Sequence, residues 1–200
     1  MIAGAAAEAI GERGRFAIAV SGGRGPWRMF ELLGERELDW DRIAIFQVDE
    51  RVAPDGDPDR NLTHLGGSLP ATALGSIRPM PVGADDLVAA ADAYAAALPE
   101  ALDLVHLGLG PDGHTASLVP GDPVLDVSDR RVAVTGPYQG RRRMTLTYPV
   151  LDAAREVFWL VTGEDKREPL GKLLAADRSI PAGRVEAQAA VVVCDRAAAG

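Results

Sequence analysis

A chain of 200 residues, of which 47% are hydrophobic and 25% charged, is long enough to bury the core of one globular domain, which we assign to residues 1–200. The formal net charge of -8 argues against a nucleic-acid partner, because affinity for phosphate backbones comes from clustered Lys and Arg. The single cysteine, Cys194, excludes an intramolecular disulfide, and the Cys/His spacings of zinc sites do not occur, so we expect no metal.

The sequence also predicts a compartment. No window reaches the roughly 18 consecutive apolar residues that a membrane span requires, and the start of the chain lacks the basic region of a signal peptide. We therefore expect a cytoplasmic protein that has no membrane partner.

Short apolar runs rich in β-branched residues alternate with longer segments of helical period. This pattern is typical of an α/β domain with a mostly parallel sheet flanked by helices. The predicted strands are residues 16–20, 43–48, 102–109, 132–134, 144–148, 157–161 and 189–194. The predicted helices are residues 26–38, 84–98 and 163–176, and residues 53–61 form a loop dense in Pro, Asp and Gly.

Three of the predicted strands end in polar sequence. They are followed by SGGRGP (21–26), DERVAP (49–54) and GPDGHTAS (110–117). Because ligands of open α/β sheets bind outside the carboxyl ends of the strands, these three segments are the candidate binding site.

The third segment carries a candidate general base, His114. We predict that residues 110–113 form a tight turn and that His114 opens a short helix, whose positive end would keep the imidazole neutral and able to accept a proton from water. The same turn would point backbone N–H groups at a phosphate or an oxyanion. Asp112 could cap the helix or orient the ring. The alternative is a plain turn with His114 exposed by chance, and the residues alone leave both interpretations open.

The same region matches a dinucleotide-binding spacing by accident. GLGPDG (108–113) fits G-x-G-x-x-G, but Pro111 lies inside the turn, Pro120 stops any following helix, and no strand with a terminal acid follows. We therefore expect no nicotinamide cofactor. Of the other histidines, we expect His106 to be a packed or edge residue of its strand with a satisfied hydrogen bond, and His64 to be a solvated helix residue.

The first two segments could hold an anion. Gly22 and Gly23 would let main-chain N–H groups approach a phosphate at a helix start, with Arg24 adding charge or pointing into solvent. Arg51 could pair with its acidic neighbours in DER or bind an anionic group in the cleft with two hydrogen bonds. Lys166, after the strand at 157–161, is either a further cation at the site or ordinary surface.

Taken in order, these stretches resemble the 6-phosphogluconolactonase family. The similarity lies in SGGRGP (21–26), DERVAP (49–54) followed by Asn61, GLGPDGHTASLVPG (108–121), RMTLTYPVL (143–151) and GEDK (163–166). It extends over nearly the whole chain, and DGHTASL is its most specific element.

The resemblance implies a sugar-phosphate isomerase-like (NagB-type) α/β fold, no cofactor, and hydrolysis of 6-phospho-D-glucono-1,5-lactone to 6-phospho-D-gluconate. It implies that His114 is the general base, with Asp112 as its catalytic companion. The substrate-binding residues that we expect are Ser21, Gly22, Gly23, Arg24, Asp49, Arg51, Asn61, Gly113, Arg143 and Lys166. A lactone is an activated ester, so one base and a few oxyanion donors suffice. We expect the protein to be a monomer or a homodimer. The binding partner that we expect is this small sugar-phosphate lactone.

Two departures from the family pattern affect these expectations. Arg24 and Gly25 stand where the family usually has Ser-Thr, which changes the phosphate loop. Relatives also carry a further stretch before the part that matches residues 3–14. Either Met1 is a misplaced start or this version lacks an edge strand, and a missing edge would weaken stability or expose an unpaired strand to aggregation or dimer formation.

Two rival functions remain. Glucosamine-6-phosphate deaminases share the DGH element but continue as in DGHIAFNEP, and the Asn-Glu pair is absent from HTASLVPG. A non-catalytic sugar-phosphate sensor would keep the phosphate loop, but such proteins carry a helix-turn-helix, for which we see no room before residue 16. The presence of His114 favours the enzyme.

Overall fold

The computed structural model describes residues 1–200, apart from the side chain of Arg24. Its strands are β1 Phe16–Val20, β2 Ile43–Gln47, β3 Asp49–Arg51, β4 Ile77–Arg78, β5 Leu104–Leu107, β6 Val132–Val134, β7 Arg143–Leu146, β8 Val157–Val161 and β9 Ala190–Cys194. Its α-helices are α1 Ile2–Arg13, α2 Arg24–Gly34, α3 Asn61–Ser68, α4 Leu87–Ala97, α5 Tyr148–Asp152, α6 Arg167–Leu174 and α7 Arg196–Ala199.

The main sheet has six parallel strands in the order β4-β2-β1-β5-β8-β9. Every residue of β1 and of β5 is buried, as expected of central strands covered on both faces. One apolar cluster packs β1 against α1 and α2, and a second packs the opposite face against α4 and β7. The predicted α/β fold with a mostly parallel sheet is therefore confirmed.

A second, antiparallel sheet has the order β3-β7-β6. The predicted strands at 132–134 and 144–148 correspond to β6 and β7 and belong to this sheet, not to the main sheet. The chain passes from β2 into β3 with only Val48 between them, so β3 projects directly from the carboxyl end of the main sheet. The antiparallel register then places Arg51 opposite Arg143. The second sheet thus forms a wall beside the strand ends of the first.

The prediction that a helix begins at His114 is wrong, because residues 114–121 form turns and short bridges rather than a helix. Ala116 adopts a left-handed backbone conformation with φ of 48°, which interrupts a helix. Two side chains bond to other segments: the Thr115 hydroxyl donates to the Gly108 carbonyl at 2.9 Å, and the Ser117 hydroxyl donates to Asp49 Oδ2 at 2.6 Å. These tertiary bonds hold an irregular loop where the local pattern favoured a helix.

Candidate active site

A cleft of about 350 Å³ opens where β1, β2, β5 and β8 end and the second sheet begins. Of the predicted site residues, those that follow strands of the main sheet and line this cleft are Ser21, Gly22, Gly23, His114 and Lys166. Those from β3, α3 and β7 are Asp49, Arg51, Asn61 and Arg143. The structure therefore brings together nine predicted residues from six separate segments of the sequence.

Three predicted residues are placed differently. Asp112 and Gly113 lie outside the cleft wall, Asp112 behind His114 and Gly113 against Ile180. The backbone of Arg24 begins α2, but its side chain lies outside what the structure describes, so its contribution stays a prediction.

The imidazole of His114 is held from behind by Asp112. Oδ1 of Asp112 lies 2.5 Å from Nδ1 of the ring and also accepts the backbone N–H of His114 at 3.1 Å. Partial burial alone would raise the pKa of Asp112, but these bonds and the charge of His114 lower it below its ordinary value. An ionised carboxylate only accepts, so Nδ1 donates the proton of this contact, and in the neutral ring Nε2 is then the acceptor. Of the two roles predicted for Asp112, the geometry favours orienting the ring.

The glycine turn before His114 is required for this approach. A Cβ atom at Gly110 would lie 2.1 Å from Nδ1 of His114, which no side chain tolerates. The backbone N–H groups of the turn are already used, however. That of Gly110 donates to the His114 carbonyl at 2.8 Å and that of Gly113 to the Gly110 carbonyl at 3.0 Å. The prediction that this turn offers free N–H groups to an anion is therefore wrong for Gly110, Gly113 and His114.

The opposite side of the cleft is built around Asn61. Its Oδ1 accepts a hydrogen bond from Nη1 of Arg51, and its Nδ2 donates to the Asp49 carbonyl at 3.0 Å. Arg51 Nη1 also donates to the Asp59 carbonyl at 3.1 Å. A Cβ at Gly22 would lie 2.0 Å from Oδ1 of Asn61, so the glycine loop after β1 lies directly against this pair.

The buried carboxylate of Glu50 supports the same side. It accepts the backbone N–H groups of Asn61 at 2.7 Å and Leu62 at 2.8 Å, which begin α3, and that of Arg51 at 2.8 Å. Its ion-pair partner is Arg60, whose Nε lies 3.3 Å away. Of the two alternatives for Arg51, the contacts favour the cleft: Glu50 pairs with Arg60, and the Arg51 guanidinium reaches Asn61 in the cleft wall.

Two buried donors of the cleft have no hydrogen-bond partner among the described residues: the hydroxyl of Ser21 and Nε of Arg143. Such a group costs about 1–3 kcal/mol unless something else accepts its hydrogen bond. Burial lowers the pKa of Arg143, and the nearby carboxylate of Asp49 partly opposes this effect. A third cation, Lys166, pairs with Asp165 at 2.9 Å in the same wall. These donors are suited to an anionic ligand.

The remaining histidines lie outside the cleft wall. His106 is fully buried between Phe30 and Phe158, and burial lowers its pKa to about 3. It is packed as predicted. Its Nδ1 accepts the backbone N–H of Ser21 at 3.3 Å, and its Nε2 has no hydrogen-bond partner in the described part of the structure. His64 lies exposed on α3 and stacks on Trp27, with 5.5 Å between ring centroids.

Sequence reasoning missed two residues near the site. Thr162 follows β8 and lines the cleft, and the strand-end argument that found Ser21 would have found it. Tyr138, in the hairpin between β6 and β7, contacts both Asp112 and the His114 ring, and no motif in the surrounding sequence indicates this.

Among the described side chains, no group of three or more His, Cys, Asp and Glu residues is arranged to hold a metal ion. Within the same part of the chain, no helix is both long and apolar enough to cross a bilayer.

Comparison with known proteins decides the family. A sequence model of the family described as glucosamine-6-phosphate isomerases/6-phosphogluconolactonase matches residues 1–194. The chain belongs to this family.

Two members of the family are particularly informative. The chain is 38% identical to the 6-phosphogluconolactonase of Synechocystis sp. over 186 residues, which cover 85% of this chain and 76% of that protein. The crystal structure of 6-phosphogluconolactonase from Thermotoga maritima matches with a TM-score of 0.88 and 27% identity, over 97% of this chain and 92% of the other. The chain is therefore an enzyme of the 6-phosphogluconolactonase type, and the resemblance seen in the sequence is confirmed.

A monomeric glucosamine-6-phosphate deaminase of the NagB superfamily matches with a TM-score of 0.80 over 96% of this chain and 90% of its own. At 21% identity it shows the shared fold alone. The predicted NagB-type fold is thereby confirmed.

Proposed function

We propose that this chain hydrolyses 6-phospho-D-glucono-1,5-lactone to 6-phospho-D-gluconate, in the oxidative branch of the pentose phosphate pathway, with His114 as general base. The observation that carries the proposal is one cleft that holds a carboxylate-bound histidine together with Arg51, Arg143 and Lys166. A base and several cations are what a phosphorylated lactone requires.

In the proposed reaction, Nε2 of His114 accepts a proton from water as the water oxygen attacks the lactone carbonyl. Asp112 stabilises the imidazolium that forms. The tetrahedral intermediate collapses with cleavage of the ring C–O bond, and His114 returns its proton to the departing ring oxygen. The carboxylic acid so formed ionises, and one proton is released per turnover. No covalent intermediate is needed, since the ester is already reactive.

The phosphate group is assigned to the cationic side of the cleft. Arg51 is fixed there by Asn61, and the glycine loop packs against that pair. Nε of Arg143 and the Ser21 hydroxyl, which have no hydrogen-bond partner among the described side chains, provide further donors. Because Arg51 and Arg143 lie opposite each other in neighbouring strands, they can contact the same anion. Lys166 and, through their backbone, Gly22 and Gly23 complete the proposed binding set.

The experiment measures proton release from freshly generated 6-phosphogluconolactone, with the spontaneous rate subtracted. We expect turnover in the intact protein and its collapse in His114→Ala, while His64→Ala on α3, outside the cleft wall, keeps the intact rate. Circular dichroism verifies that both variants are folded.

Two results would contradict the proposal. If the intact protein does not exceed the spontaneous rate but binds 6-phosphogluconate, the sensor hypothesis is correct. If it releases ammonia from glucosamine-6-phosphate instead, the deaminase hypothesis is correct.

The cytoplasmic location and the monomeric or dimeric state stay predictions from the sequence.

A further inference from the structure

The hairpin between β6 and β7 presents Tyr138 to the cleft from outside its wall. Tyr138 and Arg141 exchange backbone hydrogen bonds of 2.9 and 3.2 Å, and the two residues between them, Gln139 and Gly140, have φ of 50° and 79°. Positive φ at both central positions is the requirement of a tight type I′ hairpin turn. The position of Tyr138 is therefore fixed by a tight turn.

The Tyr138 side chain contacts both functional sides of the cleft. Its hydroxyl donates to Oδ2 of Asp112 at 3.2 Å, and its ring meets the His114 ring at 5.6 Å between centroids and 66° between planes. The guanidinium carbon of Arg143 lies 4.9 Å from the centroid of the tyrosine ring. The Tyr138 side chain thus contacts both the Asp112–His114 pair and Arg143 on the anion-binding side.

We propose that Tyr138 is a positioning residue, which holds the Asp112–His114 pair and the Arg143 guanidinium in register with each other. The proposal deepens the function proposed above and rests on it. Tyr138 does not line the cleft, so it acts through these three neighbours.

The hydroxyl and the ring have separable tasks. Donation to Oδ2 fixes the rotation of the Asp112 carboxylate, so that Oδ1 faces Nδ1 of His114. The ring face attracts the Arg143 guanidinium, whose Nη2 is held from the same hairpin by Gln139 Oε1 at 3.3 Å. Burial and the charge of Asp112 raise the pKa of Tyr138, so the hydroxyl keeps its proton and remains a donor.

Two substitutions separate these tasks. Tyr138→Phe keeps the ring and removes the hydroxyl, and we expect kcat to fall about tenfold while KM for the phosphorylated lactone is unchanged. Tyr138→Leu removes both, and we expect the same fall in kcat with KM raised about threefold. The matched control is Tyr148→Phe, which removes a hydroxyl bonded to the Pro181 carbonyl at 2.9 Å and should retain wild-type kcat and KM.

A second readout does not depend on turnover. In protein labelled with ¹⁵N at histidine, the imidazole nitrogens of His114 report the contact with Asp112. We expect their chemical shifts to change in Tyr138→Phe and to stay unchanged in Tyr148→Phe.

Wild-type kcat in Tyr138→Phe together with unmoved His114 shifts would overturn the role of the hydroxyl. Identical KM in the Phe and Leu variants would overturn the role of the ring. If the intact protein has no lactonase activity, it is the proposed function that fails. The inference is then decided by the shifts and by the affinity for 6-phosphogluconate. This affinity should weaken in Tyr138→Leu and not in Tyr138→Phe. Equal affinities in the two variants would refute the role of the ring in positioning Arg143.

Discussion

The carboxylate of Asp112 lies 2.5 Å from Nδ1 of His114, two positions further along the chain. The turn makes this short-range contact possible, because Gly113 between the two residues adopts a left-handed backbone conformation with φ of 81°. Orientation of the base is therefore local, although the loop that allows it depends on tertiary bonds from Thr115 and Ser117.

Replacing Asp112 with Asn keeps the shape of the side chain and removes its charge. We expect Asp112→Asn to lower kcat roughly 100-fold, because the imidazolium formed in the reaction loses its stabilising partner. Proton release at saturating lactone measures the effect. Asp86→Asn, at the cap of α4, is the control, and an unchanged rate in Asp112→Asn would show that Asp112 serves only the turn.

Arg51 and Arg141 form a matched pair of arginines near the cleft. Only Arg51 lines it, whereas Arg141 pairs with Asp57 and Asp59 at the hairpin. Arg51→Ala should raise KM for the phosphorylated lactone by about tenfold or more, through loss of a charged hydrogen-bonding partner, and Arg141→Ala should change it little. Equal losses with 6-phosphogluconolactone and unphosphorylated gluconolactone would contradict a phosphate role for Arg51.

The Glu50 carboxylate is fully buried and accepts hydrogen bonds from the start of α3 and from Gln47 Nε2 at 2.8 Å. Glu50→Gln removes the buried partner of Arg60, which keeps only its ion pair with the exposed Asp55 at 2.8 Å, and turns one acceptor into a donor. We expect a loss of about 3 kcal/mol in the free energy of unfolding, measured by urea denaturation. Glu168→Gln at an exposed site should leave the urea midpoint nearly unchanged, and equal midpoints for the two variants would refute the buried role of Glu50.

His106 should make the fold sensitive to acid. Its folded-state pKa of about 3 lies below the ordinary value of 6.5, so the unfolded chain binds a proton more readily between these values. Stability from this group is therefore complete above pH 6.5 and is lost as the pH falls toward 3, by up to about 1.4 kcal/mol per pH unit. Urea unfolding of the intact protein and of His106→Met between pH 7 and 4.5 tests this, since the variant should lack that part of the slope. Parallel slopes would exclude it.

The sequence predicted the buried parts of the fold well. The strands at 16–20 and 157–161 were placed with the bounds that the structure shows, because apolar runs of that length have few alternatives. The strand-end argument led to Ser21, Asp49 and Lys166 for the same reason: the sheet order fixes where strand ends meet.

Elements that depend on distant contacts were missed. The strand β3 consists of polar residues 49–51 and exists through its pairing with β7, about ninety positions away. The helix α1 is rich in Ala and has a narrow buried stripe of Ile2, Ala6 and Ala9, so periodicity gave little signal. Tyr138 reaches Asp112 across 26 positions, and only the folded hairpin shows that contact.

The closeness of Gly22 to Asn61 makes these two positions a single unit of sequence variation. A Cβ atom at residue 22 would lie 2.0 Å from Oδ1 of Asn61, so any side chain at residue 22 requires a smaller residue at 61. A smaller residue at 61 would no longer accept the hydrogen bond of Arg51. Substitutions at 22, 51 and 61 should therefore be strongly non-additive. Gly25, one of the positions at which the loop departs from the family pattern, lies elsewhere, because a Cβ there would meet Oγ1 of Thr162 at 3.4 Å.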